Sequence, residues 1–105
     1  MTINALPSVA VDSGEVRSRE AVISDDVLVK VFAMGPGGEL NTHDHPDCTN
    51  VFHVLEGTVT VLQEGTEEEI TAPGIVHNAR GVLHGAKNET DNVVLLSASL
   101  CPMPS

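Results

Sequence analysis

Apolar and polar residues alternate along this chain in short pieces, and nowhere do apolar residues recur at i, i+3, i+4 and i+7 over three turns. Residues 27–34, reading VLVKVFAM, are β-branched and aromatic, follow Asp25-Asp26 and stop at a Gly-Pro-Gly-Gly turn. That is the pattern of a strand and its turn. Further extended pieces are expected at residues 51–56, 58–63, 67–71, 75–78, 82–86 and 92–100, with Gly57 and Pro73-Gly74 among the breaks. Many short strands without a helix predict an all-β domain, a sandwich or a barrel. Residues 1–20 carry Pro7, Ser13 and Gly14 and no helical stripe, and are expected to form a frayed arm or an exchanged edge strand. Residues 21–105 are then one barrel domain.

Composition narrows the function classes. The chain has two Phe and no Trp or Tyr, so its core must come mainly from Val, Leu, Ile and Ala. Its apolar runs, such as residues 93–96, fall far short of the roughly 20 residues that span a bilayer. No basic segment followed by an apolar one opens the chain, so the expected compartment is the cytoplasm. Fifteen acidic residues against five basic ones give a formal charge of −10. Phosphate backbones need clustered Lys and Arg, so nucleic-acid binding is excluded as a reading. An acidic, lysine-poor surface fits a salt-adapted protein or an ordinary acidic cytosolic one. Cys48 and Cys101 are too few for a disulfide framework and are expected to be reduced.

The histidines carry the chemistry. His43 and His45 stand at i and i+2 of an extended segment, an arrangement that projects both rings from one face. Taken alone, such a pair reads equally well as surface histidines. It shares a metal only if a third ligand arrives from another strand, and His84 is the candidate.

The surrounding residues resemble the two motifs of the cupin superfamily. The first runs from Gly37 through His43-Asp44-His45 and Asn50 to Gly57, with every spacing kept and Asn50 in place of the usual Glu. The second runs through Gly81, His84 and Asn88, with Ala79 where Pro is usual. The resemblance implies a small jelly-roll β-barrel of two facing antiparallel sheets with a pocket inside. It also implies one divalent transition metal (Mn, Fe, Ni, Cu or Zn) held by His43, His45 and His84, with Asn50 at a weak or vacant fourth position. Gly57 and Gly81 are expected to permit the turns between the ligand-bearing strands.

Without the carboxylate, three neutral imidazoles leave a bound ion its full double charge, which favours anionic or enolate oxygens. Phe52 and Val54 share the strand parity of Asn50 and are expected to line the pocket. Cys48 reads either as a soft ligand near the metal or as a small buried thiol. His53 has the opposite parity and should face away; His77 is expected at the surface, with a fourth-ligand role open. Asp44 and Asp47 should be solvated, Asp47 with the option of orienting a ligand histidine. Glu67-Glu68-Glu69 is expected to be a solvated turn. Three functions fit: a metal-dependent enzyme acting on a small organic molecule, of oxygenase type first; a non-catalytic binder or sensor of a small metabolite, with or without metal; or a barrel kept for assembly. A homodimer is expected, because burying an outer sheet face helps a small aromatic-poor domain.

Overall fold

A computed structural model describes residues 10–103. Among these residues nine strands follow one another: β1 (Val16–Ile23), β2 (Leu28–Met34), β3 (Glu39–His43), β4 (Thr49–Glu56), β5 (Thr58–Gln63), β6 (Thr66–Thr71), β7 (Gly74–Asn78), β8 (His84–Lys87) and β9 (Val94–Cys101). They form two antiparallel sheets, one ordered β1-β2-β9-β4-β7 and the other β3-β8-β5-β6. The all-β jelly roll expected from the sequence is the observed architecture. No helix among the described residues is long and apolar enough to cross a membrane.

Strand alternation builds the core. Phe52 and Val54 of β4, Val94, Leu96 and Ala98 of β9 and Met34 of β2 meet Val59 and Val61 of β5 and Ala86 of β8 from the facing sheet. Each fully buried Val, Leu, Met or Phe side chain here stabilises the fold by roughly 1.5–3 kcal/mol, so aliphatic packing stands in for the missing aromatics. Asn88, just past β8, is buried and fully used: its Nδ2 donates to Met34 O at 2.9 Å and Asn92 O at 2.7 Å, while its Oδ1 accepts from Thr90 N and Thr90 Oγ1. It fastens the end of β8 to the end of β2 in the opposite sheet.

Two sequence readings change. Residue 20 falls inside β1, an edge strand that pairs along β2 within the same chain, from Val16 opposite Met34 to Ile23 opposite Leu28. The first nine residues lie outside the described ones. Glu67, Glu68 and Glu69 are not a turn but the middle of β6, the edge of the smaller sheet. The turn is Glu64-Gly65, where both residues have positive φ (48° and 80°), the conformation that closes a two-residue hairpin. An exposed edge strand has no apolar face to advertise it, and charge on such an edge blocks pairing with other chains.

Candidate metal centre

His43 ends β3 and lies in register opposite His84, the first residue of β8. Gly85 makes that closeness possible: a Cβ there would stand 2.8 Å from the Leu40 carbonyl oxygen of β3. His45 lies past the strand end, in the loop toward β4. Its carbonyl accepts hydrogen bonds from Gly81 N at 3.1 Å and Cys48 N at 3.4 Å, which ties that loop to the one before β8. Gly81 adopts a φ of 76° and Gly57 a φ of 83°, the left-handed conformations expected of them.

The three rings converge. Centroids are 4.6 Å apart for His43 and His84, 4.9 Å for His43 and His45, and 5.6 Å for His45 and His84. One ligand nitrogen from each lies within 4.8 Å of the others. Backbone carbonyls set the tautomers of two of them. His43 Nδ1 donates to Asn41 O at 2.7 Å and His84 Nδ1 donates to Val82 O at 2.8 Å. A carbonyl can only accept, so each Nδ1 carries the proton and each Nε2 keeps its lone pair. His84 Nε2 is buried and has no hydrogen-bond partner among the described residues. Such an orphan is costly unless something occupies it.

Electrostatics agree with a ligand role. Burial is the main reason that His84 titrates below the ordinary histidine value, with the neighbouring His43 and His45 adding to the shift against a raising hydrogen bond to Val82. His45 is lowered by burial first, then by His43 and, more weakly, by Lys30, while Asp44 opposes them. Neutral imidazoles with free lone pairs are the form that binds metal. The donor set fits a divalent transition ion.

Beside the histidines lies a cavity of about 130 Å³, walled by Phe32, Leu40, Phe52, Ala98 and Leu100 and edged by His43, His45, Asn50 and Lys30. Phe52 meets His84 edge-on, with ring centroids 5.7 Å apart. A larger cavity of about 290 Å³ opens between β6 and β7, but none of the histidines lines it.

Asn50 is buried on β4, opposite Asn78 of β7. Its Oδ1 accepts from Asn78 Nδ2 at 2.9 Å. Asn78 Oδ1 accepts in turn from Gln63 Nε2 at 2.9 Å, and the same Gln63 nitrogen donates to the His77 carbonyl at 2.9 Å. The residue at the usual carboxylate position is therefore engaged through its oxygen with β7.

Other candidates are placed as follows. Val54 lies in the core, away from the cavity wall. Of the two readings of Cys48, the small buried thiol is the observed one: it packs with Leu28, Leu100 and Met103 rather than lining the cavity, and its thiol donates to Pro102 O at 3.2 Å. The returning C-terminal segment, not the histidine loop, decides its surroundings. His53 and His77 are exposed, as are Asp44 and Asp47. Lys30 is the residue that sequence reasoning passed over. It shares its parity on β2 with Leu28, Phe32 and Met34, which pack inward, and a lysine in that register was the available signal.

A family model described as "Cupin domain" matches residues 30–99. Among solved structures, an uncharacterized conserved protein with a double-stranded β-helix domain from Klebsiella pneumoniae superposes with a TM-score of 0.82 at 25% identity, covering 90% of this chain and 83% of that one. A protein from Thermus thermophilus gives 0.81 at 26%, covering 86% of each chain. A predicted oxalate decarboxylase from Thermotoga maritima gives 0.79 at 19%, covering 86% of this chain and 83% of that one, a likeness of fold. No curated protein matches. The match over residues 30–99, together with the two histidine motifs brought together by the paired strands β3 and β8, makes this chain a member of the cupin family.

Proposed function

We propose that this chain is a divalent-metal-dependent enzyme acting on a small organic molecule, with oxygenase-type chemistry at the three-histidine centre. The observation that carries the reading is the buried Nε2 of His84, unpartnered among the described residues, in a cluster whose ligand nitrogens lie within 4.8 Å of one another. Mn, Fe, Ni, Cu and Zn all accept imidazole. When bound, such an ion supplies a Lewis-acid centre with positions left open for an oxygen-donor substrate.

The chain's own residues do the rest. Asn41 and Val82 carbonyls hold the rings of His43 and His84 with their lone pairs free. Phe32, Phe52 and Leu100 keep the cavity apolar, and its size admits only a small substrate. The reading includes a homodimer. Ile75 is 66% exposed opposite His53, an apolar side chain that a second copy would cover.

Oxygen uptake tests the catalytic part. Protein loaded separately with Fe(II), Mn(II), Ni(II) and Cu(II) is screened against small diketones and 2-oxo acids, beside metal-free protein and His43→Ala. Uptake that needs both metal and His43 is expected. Saturable binding without uptake by any loaded form would overturn the enzyme reading in favour of a binding cupin.

A further inference from the structure

Two groups at the edge of the histidine cavity have chemistry that the metal centre does not use. Lys30 lines the cavity beside His43 and His45 and makes no ion pair among the described residues. In a chain with fifteen carboxylates and two lysines, a half-buried cation beside an apolar wall, with no counterion among the described residues, is placed to meet an anion from solution.

Asn50 is the second. The direction of its amide follows from a backbone atom three residues removed in the hydrogen-bond chain. The His77 carbonyl can only accept, so Gln63 must turn its NH₂ toward β7. That NH₂ also donates to Asn78, which fixes the acceptor of Asn78 on that side and its donor toward Asn50. Asn50 therefore spends its oxygen on Asn78 and offers the cavity N–H groups. A glutamate at this position would offer oxygens to a metal; the amide offers donors to a ligand oxygen.

We propose that Lys30 and Asn50 form an anion-recognition pair beside the three-histidine cluster, making the ligand of this cavity a small aliphatic carboxylate. The proposal deepens the reading of that cluster as the working site and rests on it. An ammonium and an amide N–H give charge-assisted hydrogen bonds to a carboxylate, while a cationic ligand would meet Lys30 repelled and a neutral one would leave it unpaired. The remaining walls are Phe32, Leu40, Phe52, Ala98 and Leu100, which supply no polar side-chain partner and suit a short hydrocarbon body. A volume of about 130 Å³ lies below the roughly 300–1,000 Å³ of sites for drug-sized ligands, which suits a body of a few carbons.

Calorimetric titration with pyruvate, 2-oxobutanoate and the primary amide of each tests the pairing. The samples are wild type, Lys30→Met and Asn50→Asp, each metal-free and after addition of Zn(II), with zinc content measured in every one. Wild type is expected to bind an acid at least about tenfold more tightly than its amide. Lys30→Met should keep its zinc and lose about tenfold or more in acid affinity. Asn50→Asp keeps an acceptor for Asn78 but exchanges donors for an oxygen, so zinc should be held at least as tightly while the acid binds more weakly. Acids that bind no better than amides, no acid binding at all, or variants that bind acids as wild type does would overturn the proposal. Should wild type take up no zinc, the metal reading fails separately, and the acid preference and its loss in Lys30→Met are then read on metal-free protein.

Discussion

His84 lies directly opposite His43 across the β3–β8 ladder, and both rings are fixed in the same way, each Nδ1 donating to the carbonyl two residues earlier in its own chain segment. The free Nε2 lone pairs are thus a product of backbone geometry on two different strands. Anything that separates β3 from β8 should weaken the centre before it unfolds the domain.

Gly85→Ala tests that dependence. Its Cβ would meet Leu40 O at 2.8 Å and the Thr42 backbone at 3.3 Å, so β3 must shift. A destabilisation of about 1–3 kcal/mol in urea is expected, as for other overpacked sites, together with a clear loss of metal affinity. Unchanged affinity would mean that the ladder does not set the site.

Acid should weaken the metal-free protein. His45 and His84 are held below their ordinary value of 6.5, mainly by burial, so below that pH the unfolded chain binds protons that the folded chain resists. The stability these groups contribute is complete above pH of about 6.5 and falls as the pH drops below it. Thermal melts in high salt, which screens the repulsion among the fifteen carboxylates, should show this decline, and His84→Ala should show less of it. Added Zn(II) should raise the melting temperature more at pH 7.5 than at pH 5.5, because protons compete for the same nitrogens. A melting temperature independent of pH over this range would contradict the account.

Asn88 illustrates how much of the fold was legible in sequence and how much was not. Its place in the second motif marked it, and so did the spacing of His43, His45 and His84, because ligand positions on strands keep fixed intervals. The partners of these residues were not legible. Asn50 meets Asn78 only through the β4–β7 register, and Cys48 meets Pro102 only because the chain returns from β9. The strand β1 was hidden because its outer residues are polar and exposed, leaving no apolar alternation to read. Lys30 was hidden by its charge, which suggests a surface residue although its parity on β2 points inward.

Asn88→Ala should cost about 2–3 kcal/mol, since it strips hydrogen bonds from Met34 O, Asn92 O and Thr90 and leaves buried groups unsatisfied. Asn88→Asp should be worse, because a carboxylate would face two carbonyl oxygens. Chemical denaturation of the three proteins ranks them. An Asp variant as stable as wild type would contradict the clamp.

Salt should stabilise the chain. The formal charge is −10, and among the described residues only Arg17–Glu15, Lys87–Glu67 and Lys87–Glu89 are within ion-pairing distance. Raising NaCl from about 0.01 to 1 M shortens the screening length from about 30 to 3 Å, so the melting temperature of metal-free protein should rise. No change would remove self-repulsion as a term in its stability.

The most direct test of the three-histidine centre is the metal content of untagged protein purified without chelator, measured by elemental analysis beside His84→Ala. The account predicts about one Mn, Fe, Ni, Cu or Zn per chain, absent from the variant although the variant stays folded. Wild-type protein that holds no metal even after each ion is added, or a His84→Ala variant that holds as much as wild type, would contradict it.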